Sequence, residues 1–432
     1  MSRLRNNFKW LCIGKAAQIF NSLFVMAWVA RYLGTGSFGK LASAVALVSL
    51  TTPIVSLGMD RILARELVAN PDKRGELLGT AIFAKLGMAV LVYLSLAAFF
   101  FLSRQSFADE LNTTVYLICL CAIFATPFSS TRLLMESKLA AKVTTLSGIT
   151  TQIVVASMRI ICVVLSAPLV AFAASFLIGS LIANCFTFYF AKRLEVVVKK
   201  LSFSFQTLRT IMAESWPLMA SHVAVTFYLG ADVVMLAWMR GDSDAGVYSF
   251  AASAINTLLF FPQAVGNSYF PSLVEAHKAG ESNYQQRQLR YFRVNAAIAT
   301  AVTVSALIFI PSILLLLLGQ DFAETGPLFR IQTLGLFFFF FGVSRGQCLV
   351  AEGRIGCIMY GQLSGLLVNV LLNLMLIPSM GTYGAAIATT ISYATYGIIS
   401  SLMLPSLWPI AKMQFWGLIT PNKLFPLTNR GW

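Results

Sequence analysis

The sequence predicts an all-α integral membrane protein of about 12 transmembrane helices, in two six-helix pseudo-symmetric bundles around a central cavity. Three observations support this fold class. Of the 432 residues, 57% are hydrophobic and only 11% are charged, whereas soluble domains carry about 25% charged residues. The mean hydropathy is +0.76. Apolar stretches of about 20 residues, the length that crosses a bilayer core, recur along the whole chain.

The first six predicted helices cover about residues 10–33, 38–59, 77–103, 113–135, 147–167 and 168–191. The first run contains Lys15, Gln18 and Asn21 and has no convincing cleavage site, so we expect an uncleaved helix rather than a signal peptide. The remaining six cover about residues 215–239, 247–271, 294–319, 328–351, 357–380 and 383–404.

The longest polar connection, residues 192–214, is the expected boundary between two halves. We therefore expect an N-terminal bundle over 1–191, a cytoplasmic linker over 192–214, a C-terminal bundle over 215–404 and a cytoplasmic or interfacial tail over 405–432. An internal repeat supports this division, because Arg31 to Pro53 parallels Met239 to Pro262: each is a glycine-bearing turn followed by a small-residue helix that ends at proline.

Basic residues predict the orientation of the helices. They occupy alternate connections, which positions those connections on the cytoplasmic side together with both termini. The connections on this side contain Arg3, Arg5, Lys9, Arg61, Arg65, Lys73, Arg74, Lys138, Lys142, Lys192, Arg193, Lys199, Lys200, Lys278, Arg287, Arg290, Arg293 and Arg354. The net charge of +15 is thus explained by membrane topology and does not indicate nucleic-acid binding.

Several ionisable residues interrupt the apolar runs. The basic ones are Lys15, Arg31, Lys85, Arg132, Arg159 and Arg345, and the acidic one is Asp232. Each cation at the membrane centre costs about 2.5 to 3.5 kcal/mol, so we expect most of them to face a wet cavity. Arg31 and Arg132 lie near helix ends, where snorkelling to the interface is an equal alternative.

Polar side chains accompany these charges on the same helix faces. Gln18 lies one turn from Lys15, and Gln152 lies two turns before Arg159. Asn369 and Asn373 are one turn apart, which suits a hydrogen bond between helices or a contact with a sugar. Asp232 has two candidate roles as well: an ion-coupling carboxyl, or a salt bridge with a cavity base.

The seven cysteines show no disulfide or metal-ligand spacing, so we interpret them as packing residues and expect no metal and no cofactor. The chain contains no GxxxxGK[ST] motif, which argues against ATP hydrolysis. An integral-membrane polymerase or ligase would need a sizeable periplasmic loop, and every predicted periplasmic loop is short. We therefore expect a transporter and not an enzyme.

Motifs along nearly the whole chain resemble the polysaccharide/O-antigen flippases, the polysaccharide transporter family of the multidrug/oligosaccharidyl-lipid/polysaccharide exporter superfamily. The shared features include ARYLGTGSFG and SLGMDRILARE. They also include Asp232 in the seventh helix and the later positions Gly246, Tyr248, Pro262, Pro271, Glu352, Gly353, Arg354, Asn369, Asn373, Ile377, Pro378, Gly384, Ala385 and Ala386.

The resemblance implies that the protein moves a polyprenyl-pyrophosphate-linked oligosaccharide, such as an O-antigen repeat unit, to the periplasmic face of a bacterial inner membrane. The implied substrate carrier is undecaprenyl pyrophosphate, and the implied partners are a polysaccharide polymerase and a chain-length regulator. A cationic cavity suits the diphosphate because Arg donates in a fork that fits phosphate oxygens. H+ and Na+ are the candidate coupling ions. A cation-coupled multidrug exporter of the same superfamily is the closest alternative.

Overall fold

The computed structural model describes residue 14 and residues 17–102, 110–137, 141–193 and 201–419. Within these residues the chain is all-helical, and ten helical stretches are long and apolar enough to cross a membrane. Two of the ten contain a glycine with a non-helical backbone: Gly34 (φ 72°) interrupts Ala17–Ser56, and Gly381 (φ 58°) interrupts Ile355–Met403. When each of these two stretches is counted as two helices, the described spans number twelve, as the sequence predicts.

The chain divides into two compact units, Met1–Ser249 and Phe250–Trp432. Unit 1 contains α1 (Met26–Ser56), α2 (Asp60–Ala69), α3 (Arg74–Leu102), α4 (Glu110–Leu120), α5 (Ser130–Ser137), α6 (Ala141–Val164), α7 (Leu169–Arg193), α8 (Phe205–Met239) and the start of α9 (Asp242–Leu258). A π-helical turn, Asn21–Val25, precedes α1, and a 3₁₀ segment, Cys121–Ser129, joins α4 to α5.

Among the described residues of unit 1, two apolar clusters stand out. The larger lies between α1, α3, the α4 region and α7, and it includes Val48, Ala89, Phe100, Ile123 and Phe172. The smaller joins α2 and the first turns of α3 to the beginning of α8, where Met59, Leu63, Leu67, Leu77 and Ile211 are buried together. The second cluster therefore fixes the end of the unit at which α8 begins.

Unit 2 contains the rest of α9, then α10 (Phe260–Lys278), α11 (Glu281–Leu318), α12 (Thr325–Ala351), α13 (Ile355–Ala394), α14 (Ser400–Met403) and α15 (Trp408–Ile419). Its main cluster joins α10, α11, α12 and α15 through residues such as Leu273, Tyr291, Phe292, Leu349 and Ile410. α15 has 12 residues, which at 1.5 Å per residue is about 18 Å and too short to cross a bilayer core.

The polar connections are more helical than the sequence predicts. The expected linker over 192–214 overlaps α7 and α8, and α8 begins ten residues before Ser215, where the Oγ of Ser204 caps it by accepting a hydrogen bond from the Thr207 N–H (3.3 Å). The polar segments after the second and eighth predicted spans are also largely helical. Hydropathy misses these turns because it reports insertion into the membrane and not helix formation.

Candidate functional site

Lys85 is fully buried in unit 1 and its ammonium group is paired. Its Nζ donates to Oδ1 of Asp60 (2.6 Å) and to Oγ of Ser130 (2.9 Å). Asp60 is the first residue of α2, where the helix dipole favours a negative charge. A buried cation that keeps its charge needs such partners. In this conformation Lys85 therefore ties α2, α3 and α5 together and does not face an open cavity.

Arg345 occupies a comparable position in unit 2. The side chain is 1% exposed, and its Nη1 donates to the hydroxyl groups of Ser400 and Ser401, the latter at 2.8 Å. The guanidinium carbon lies 5.6 Å from the centre of the Tyr396 ring, within the range of a cation–π contact. Gly361 leaves room for this group, because a Cβ there would lie 2.2 Å from Nη2 of Arg345.

Arg159 lies on α6 and is half-buried. Two turns earlier on the same helix, the Oε1 of Gln152 accepts a hydrogen bond from Nδ2 of Asn21. Asn21 begins the π-helical turn before α1, and π-turns inside helices are frequent at functional sites. The structure thus connects the first span to the face of α6 that contains Gln152 and Arg159.

Asp232 is 2% exposed on α8, and its Oδ2 accepts a hydrogen bond from the hydroxyl group of Tyr248 on α9 (2.7 Å). Asn369 and Asn373 on α13 are fully buried and bonded to each other, with Nδ2 of Asn373 donating to Oδ1 of Asn369 (3.2 Å). Both groups are therefore built into packed helices. Their roles in coupling or sugar binding stay predictions.

The remaining predicted residues are more accessible. Arg31, Arg132 and Gln18 are exposed, and Lys15 lies outside the described residues. Of the predicted residues, Lys85, Arg159 and Asp232 belong to unit 1, whereas Arg345 and the two asparagines belong to unit 2. Sequence reasoning missed the partners Asp60, Ser130, Ser400 and Ser401.

A polar cleft of about 520 Å³ lies at the end of unit 1 where α8 begins. Nη2 of Arg65 lies 2.7 Å from Oε2 of Glu214 and 2.9 Å from Oε1 of Glu66. The hydrogen bond with Glu214 and, to a smaller extent, the hydrogen bond with Glu66 raise the pKa of Arg65 above its ordinary value. Thr207 also donates to Oε1 of Glu76. These contacts attach the first turns of α8 to α2 and α3.

No group of three or more His, Cys, Asp or Glu side chains within the described residues is arranged to hold a metal ion. The spans contain cations, hydroxyl groups and amides, together with the buried carboxyl group of Asp232. Such groups can bind anions and sugars. Ionisable side chains inside membrane spans mark substrate and ion pathways in general.

The apolar helical spans define a polytopic membrane protein. Residues 4–277 match the family model for polysaccharide biosynthesis proteins, more than half of the chain, and the protein belongs to this family. Residues 217–375 also match the MatE model. The protein has the fold of the multidrug/oligosaccharidyl-lipid/polysaccharide exporter superfamily, and this confirms the resemblance seen in the motifs.

Two relatives come from archaea. A 222-residue stretch is 25% identical to the "Probable low-salt glycan biosynthesis flippase Agl15" of Haloferax volcanii and covers 49% of this chain and 45% of that protein, so the match spans about half of that relative's length. A 375-residue match to the "Uncharacterized membrane protein MJ1375" of Methanocaldococcus jannaschii is 20% identical and covers 84% of this chain and 88% of that protein.

Two solved structures have the same fold over nearly the full chain. An inward-facing multidrug resistance MATE family transporter has a TM-score of 0.73 at 15% identity and covers 94% of this chain and 95% of its own. The lipid II flippase MurJ, in an inward closed conformation, has a TM-score of 0.71 at 13% identity, with coverage of 98% and 93%. At these identities the likeness establishes the fold alone.

Proposed function

We propose that the protein is a flippase that moves a lipid-linked oligosaccharide across the membrane by alternating access. The single observation that carries this proposal is the match of residues 4–277 to the polysaccharide biosynthesis protein family. The names of the relatives agree with it, since one is named a probable low-salt glycan biosynthesis flippase and the MurJ neighbour is named a lipid II flippase. Transport, and not chemical conversion, is the proposed activity.

The finer proposal concerns the substrate. We expect an undecaprenyl-pyrophosphate-linked repeat unit, such as O-antigen, that moves from the cytoplasmic to the periplasmic face of a bacterial inner membrane. Both termini are then cytoplasmic, and a polysaccharide polymerase and a chain-length regulator act on the product. The support is electrostatic: a diphosphate needs a cationic partner to enter a low-dielectric environment, and Arg159 supplies a half-buried guanidinium group within a span.

Arg159 provides the sharpest test of the cationic binding site. It is half-buried on α6, and the described structure shows it neither in a salt bridge nor in a hydrogen bond. We expect Arg159→Ala to abolish translocation without lowering the amount of folded protein in the membrane. Arg209→Ala is the matched control, because Arg209 is exposed near the start of α8. Normal surface polysaccharide in the Arg159→Ala strain would exclude a role for this residue in binding the diphosphate.

Asp232 is the proposed coupling residue. Its carboxyl group is buried in a span and bonded to Tyr248, so gain of a proton or sodium ion would change the hydrogen bond that connects α8 to α9. Binding of an ion at the carboxyl group would thereby alter the contact between these two helices. H+ and Na+ are both compatible with a single buried carboxyl group.

Multidrug export is the second candidate function, because the MatE model matches residues 217–375 and a MATE transporter shares the fold. The two functions differ in the charge of the cargo: a lipid-linked diphosphate is anionic, whereas the drugs considered for this alternative are cationic. Ethidium efflux from cells that overproduce the protein, with no change in the lipid-linked precursor, would favour the exporter.

A further inference from the structure

α15 packs into unit 2 through one face. Four residues at helical spacing form this buried face: Ile410, Ala411, Gln414 and Gly417. Gln414 is 2% exposed, and its Nε2 donates to the backbone carbonyl oxygens of Phe341 (3.0 Å) and Gly397 (3.3 Å). Phe341 belongs to α12, and Gly397 lies in the π-helical turn that follows α13. These contacts fix the position of α15 and determine which of its faces is exposed.

The start of α15 is level with the first turns of α11. Nη2 of Arg354 donates to the carbonyl oxygen of Ser406, two residues before α15 (3.0 Å). Nη1 of the same arginine donates to Glu352 (3.3 Å), whose other carboxyl oxygen accepts a hydrogen bond from the hydroxyl group of Tyr284 on α11 (2.8 Å). This chain of contacts connects the beginnings of the two helices at the polar end of unit 2.

The two helices touch again where the apolar part of α11 begins. A Cβ on Gly417 would lie 2.7 Å from Cβ of Phe292 and 3.3 Å from the backbone nitrogen of Arg293. Arg293 is the last charged residue of α11, and no charged residue follows it before Asp321. It therefore marks the boundary between the polar turns of α11 and the part that spans the membrane. α15 runs in the same direction as α11 and reaches this boundary at Gly417.

The exposed face of α15 is aromatic and apolar, with one cation. Its exposed residues include Trp408, Lys412, Phe415, Trp416 and Ile419. Lys412 is the only charged residue of the helix, and it precedes Gly417 by five residues, which is about 7.5 Å towards the polar end. This face thus has a cation at the level of lipid headgroups and apolar side chains at the level of acyl chains.

Positive charge is concentrated at the junction of α11 and α15. Arg290 is exposed and Arg293 is half-buried, and three residues separate them, so they are neighbours on the surface of α11. Glu352 is the last acidic residue of the chain, and the sequence after it contains four basic residues and no acidic one. The junction is therefore complementary in charge to an anion.

We propose that this junction binds an anionic phospholipid, with its phosphate group held by Lys412 and Arg293 and its acyl chains against the exposed face of α15. Arginine donates in a planar fork that fits phosphate oxygens, and lysine supplies a compact charge. Both stems are long enough to extend along the helices towards one phosphate group. Basic pockets between membrane helices bind lipid headgroups in general. A free phosphate would leave the aromatic side chains uncovered, and an apolar partner helix would not match the cations.

Native mass spectrometry of the purified protein tests this site. We expect dioleoyl phosphatidylglycerol to bind more tightly than dioleoyl phosphatidylcholine, which has the same acyl chains and no net charge. Each cation beside the phosphate changes the affinity about fivefold. Lys412→Gln should therefore weaken the binding of phosphatidylglycerol about fivefold and Lys412→Gln/Arg293→Gln about 25-fold, with the binding of phosphatidylcholine unchanged.

Arg330→Gln is the matched control, because Arg330 is exposed near the start of α12, whereas the junction lies at the end of unit 2 where α12 finishes. This variant should bind phosphatidylglycerol as the unaltered protein does. Equal affinity of the unaltered protein for the two lipids would overturn the proposal. A loss in Arg330→Gln as large as that in Lys412→Gln would overturn it as well.

Thermal unfolding in detergent separates lipid binding from an effect on the fold. Lys412 is exposed, so Lys412→Gln without lipid should unfold at the temperature of the unaltered protein. Phosphatidylglycerol should raise the unfolding temperature of the unaltered protein and of Lys412→Arg, and should raise that of Lys412→Gln by less. An equal rise in Lys412→Gln would contradict the site.

Undecaprenyl phosphate distinguishes a phospholipid from the carrier of a transported glycan. If it gives the same Lys412-dependent rise in unfolding temperature at a lower concentration than phosphatidylglycerol, the surface serves the carrier lipid and the phospholipid assignment is wrong. Neither mass spectrometry nor unfolding involves transport. Failure of the flippase proposal would therefore leave the lipid site standing, and loss of the lipid site would leave the flippase proposal untouched.

Discussion

The pair between Lys85 and Asp60 predicts an unequal response to the loss of either partner. Asp60→Ala leaves a fully buried ammonium with one neutral partner, Ser130. Breaking a buried pair in this way costs about 3 to 5 kcal/mol. The Asp60 side chain is 38% exposed, so water relieves part of the loss and we expect about 3 kcal/mol. Lys85→Met keeps the buried volume and leaves a carboxylate that water can reach, which should cost under about 1.5 kcal/mol.

Thermal unfolding of the purified protein in detergent measures this difference. For a unit of this size 1 kcal/mol corresponds to about 2 to 4 °C, so Asp60→Ala should lower the unfolding temperature by about 6 to 12 °C and Lys85→Met by less than half of that. The double variant Asp60→Ala/Lys85→Met should be more stable than Asp60→Ala alone, because no buried charge remains. Asp72→Ala, at an exposed position, is the control. Equal losses for the two single variants would refute the reasoning.

Two further predictions concern unit 2 and the coupling residue. Gly342→Ala should lower the unfolding temperature by several degrees, because its Cβ would lie 2.1 Å from Cε1 of Tyr396, whereas Gly346→Ala, one turn later with nothing within 4 Å, should not. Similar unfolding temperatures for the two variants would contradict the packing around Tyr396. Asp232→Asn should remove the dependence of translocation on the ion gradient, measured in vesicles with an imposed pH or Na+ gradient. Normal transport by Asp232→Asn over a range of pH would exclude the coupling role.

The number of spans could be predicted from the sequence, because a membrane helix is recognised by the length and hydropathy of its apolar run. The glycine-bearing turn that contains Gly34 was visible in the sequence as well. The helical turns outside the apolar runs were not predicted. α2 and the first turns of α8 are polar and held by tertiary contacts, such as the burial of Leu63 and Ile211 in one cluster, and these contacts have no local signature.

The charged residues show the same difference between features that the sequence predicts and features that depend on tertiary contacts. An ionisable side chain in an apolar run is conspicuous, so Lys85, Asp232 and Arg345 could be selected from the sequence. Their partners could not, since Asp60 lies in a polar segment and Ser400 resembles many other serines in the spans. A Cβ on Gly39 would lie 1.7 Å from the carbonyl oxygen of Asp242, and this close approach likewise depends on how α1 lies against α8 and α9. Sequence repeats show that two turns are equivalent but not that they touch.

The sidedness of the lipid-linked oligosaccharide tests the central claim most directly. Membrane-impermeant glycan-modifying enzyme, added to spheroplasts with and without the protein, reports how much precursor has reached the outer face. If the protein is the flippase, its loss should leave the precursor assembled but confined to the cytoplasmic face, and the unaltered chain should restore access where Arg159→Ala does not. Precursor that reaches the outer face normally in cells without the protein would contradict the account.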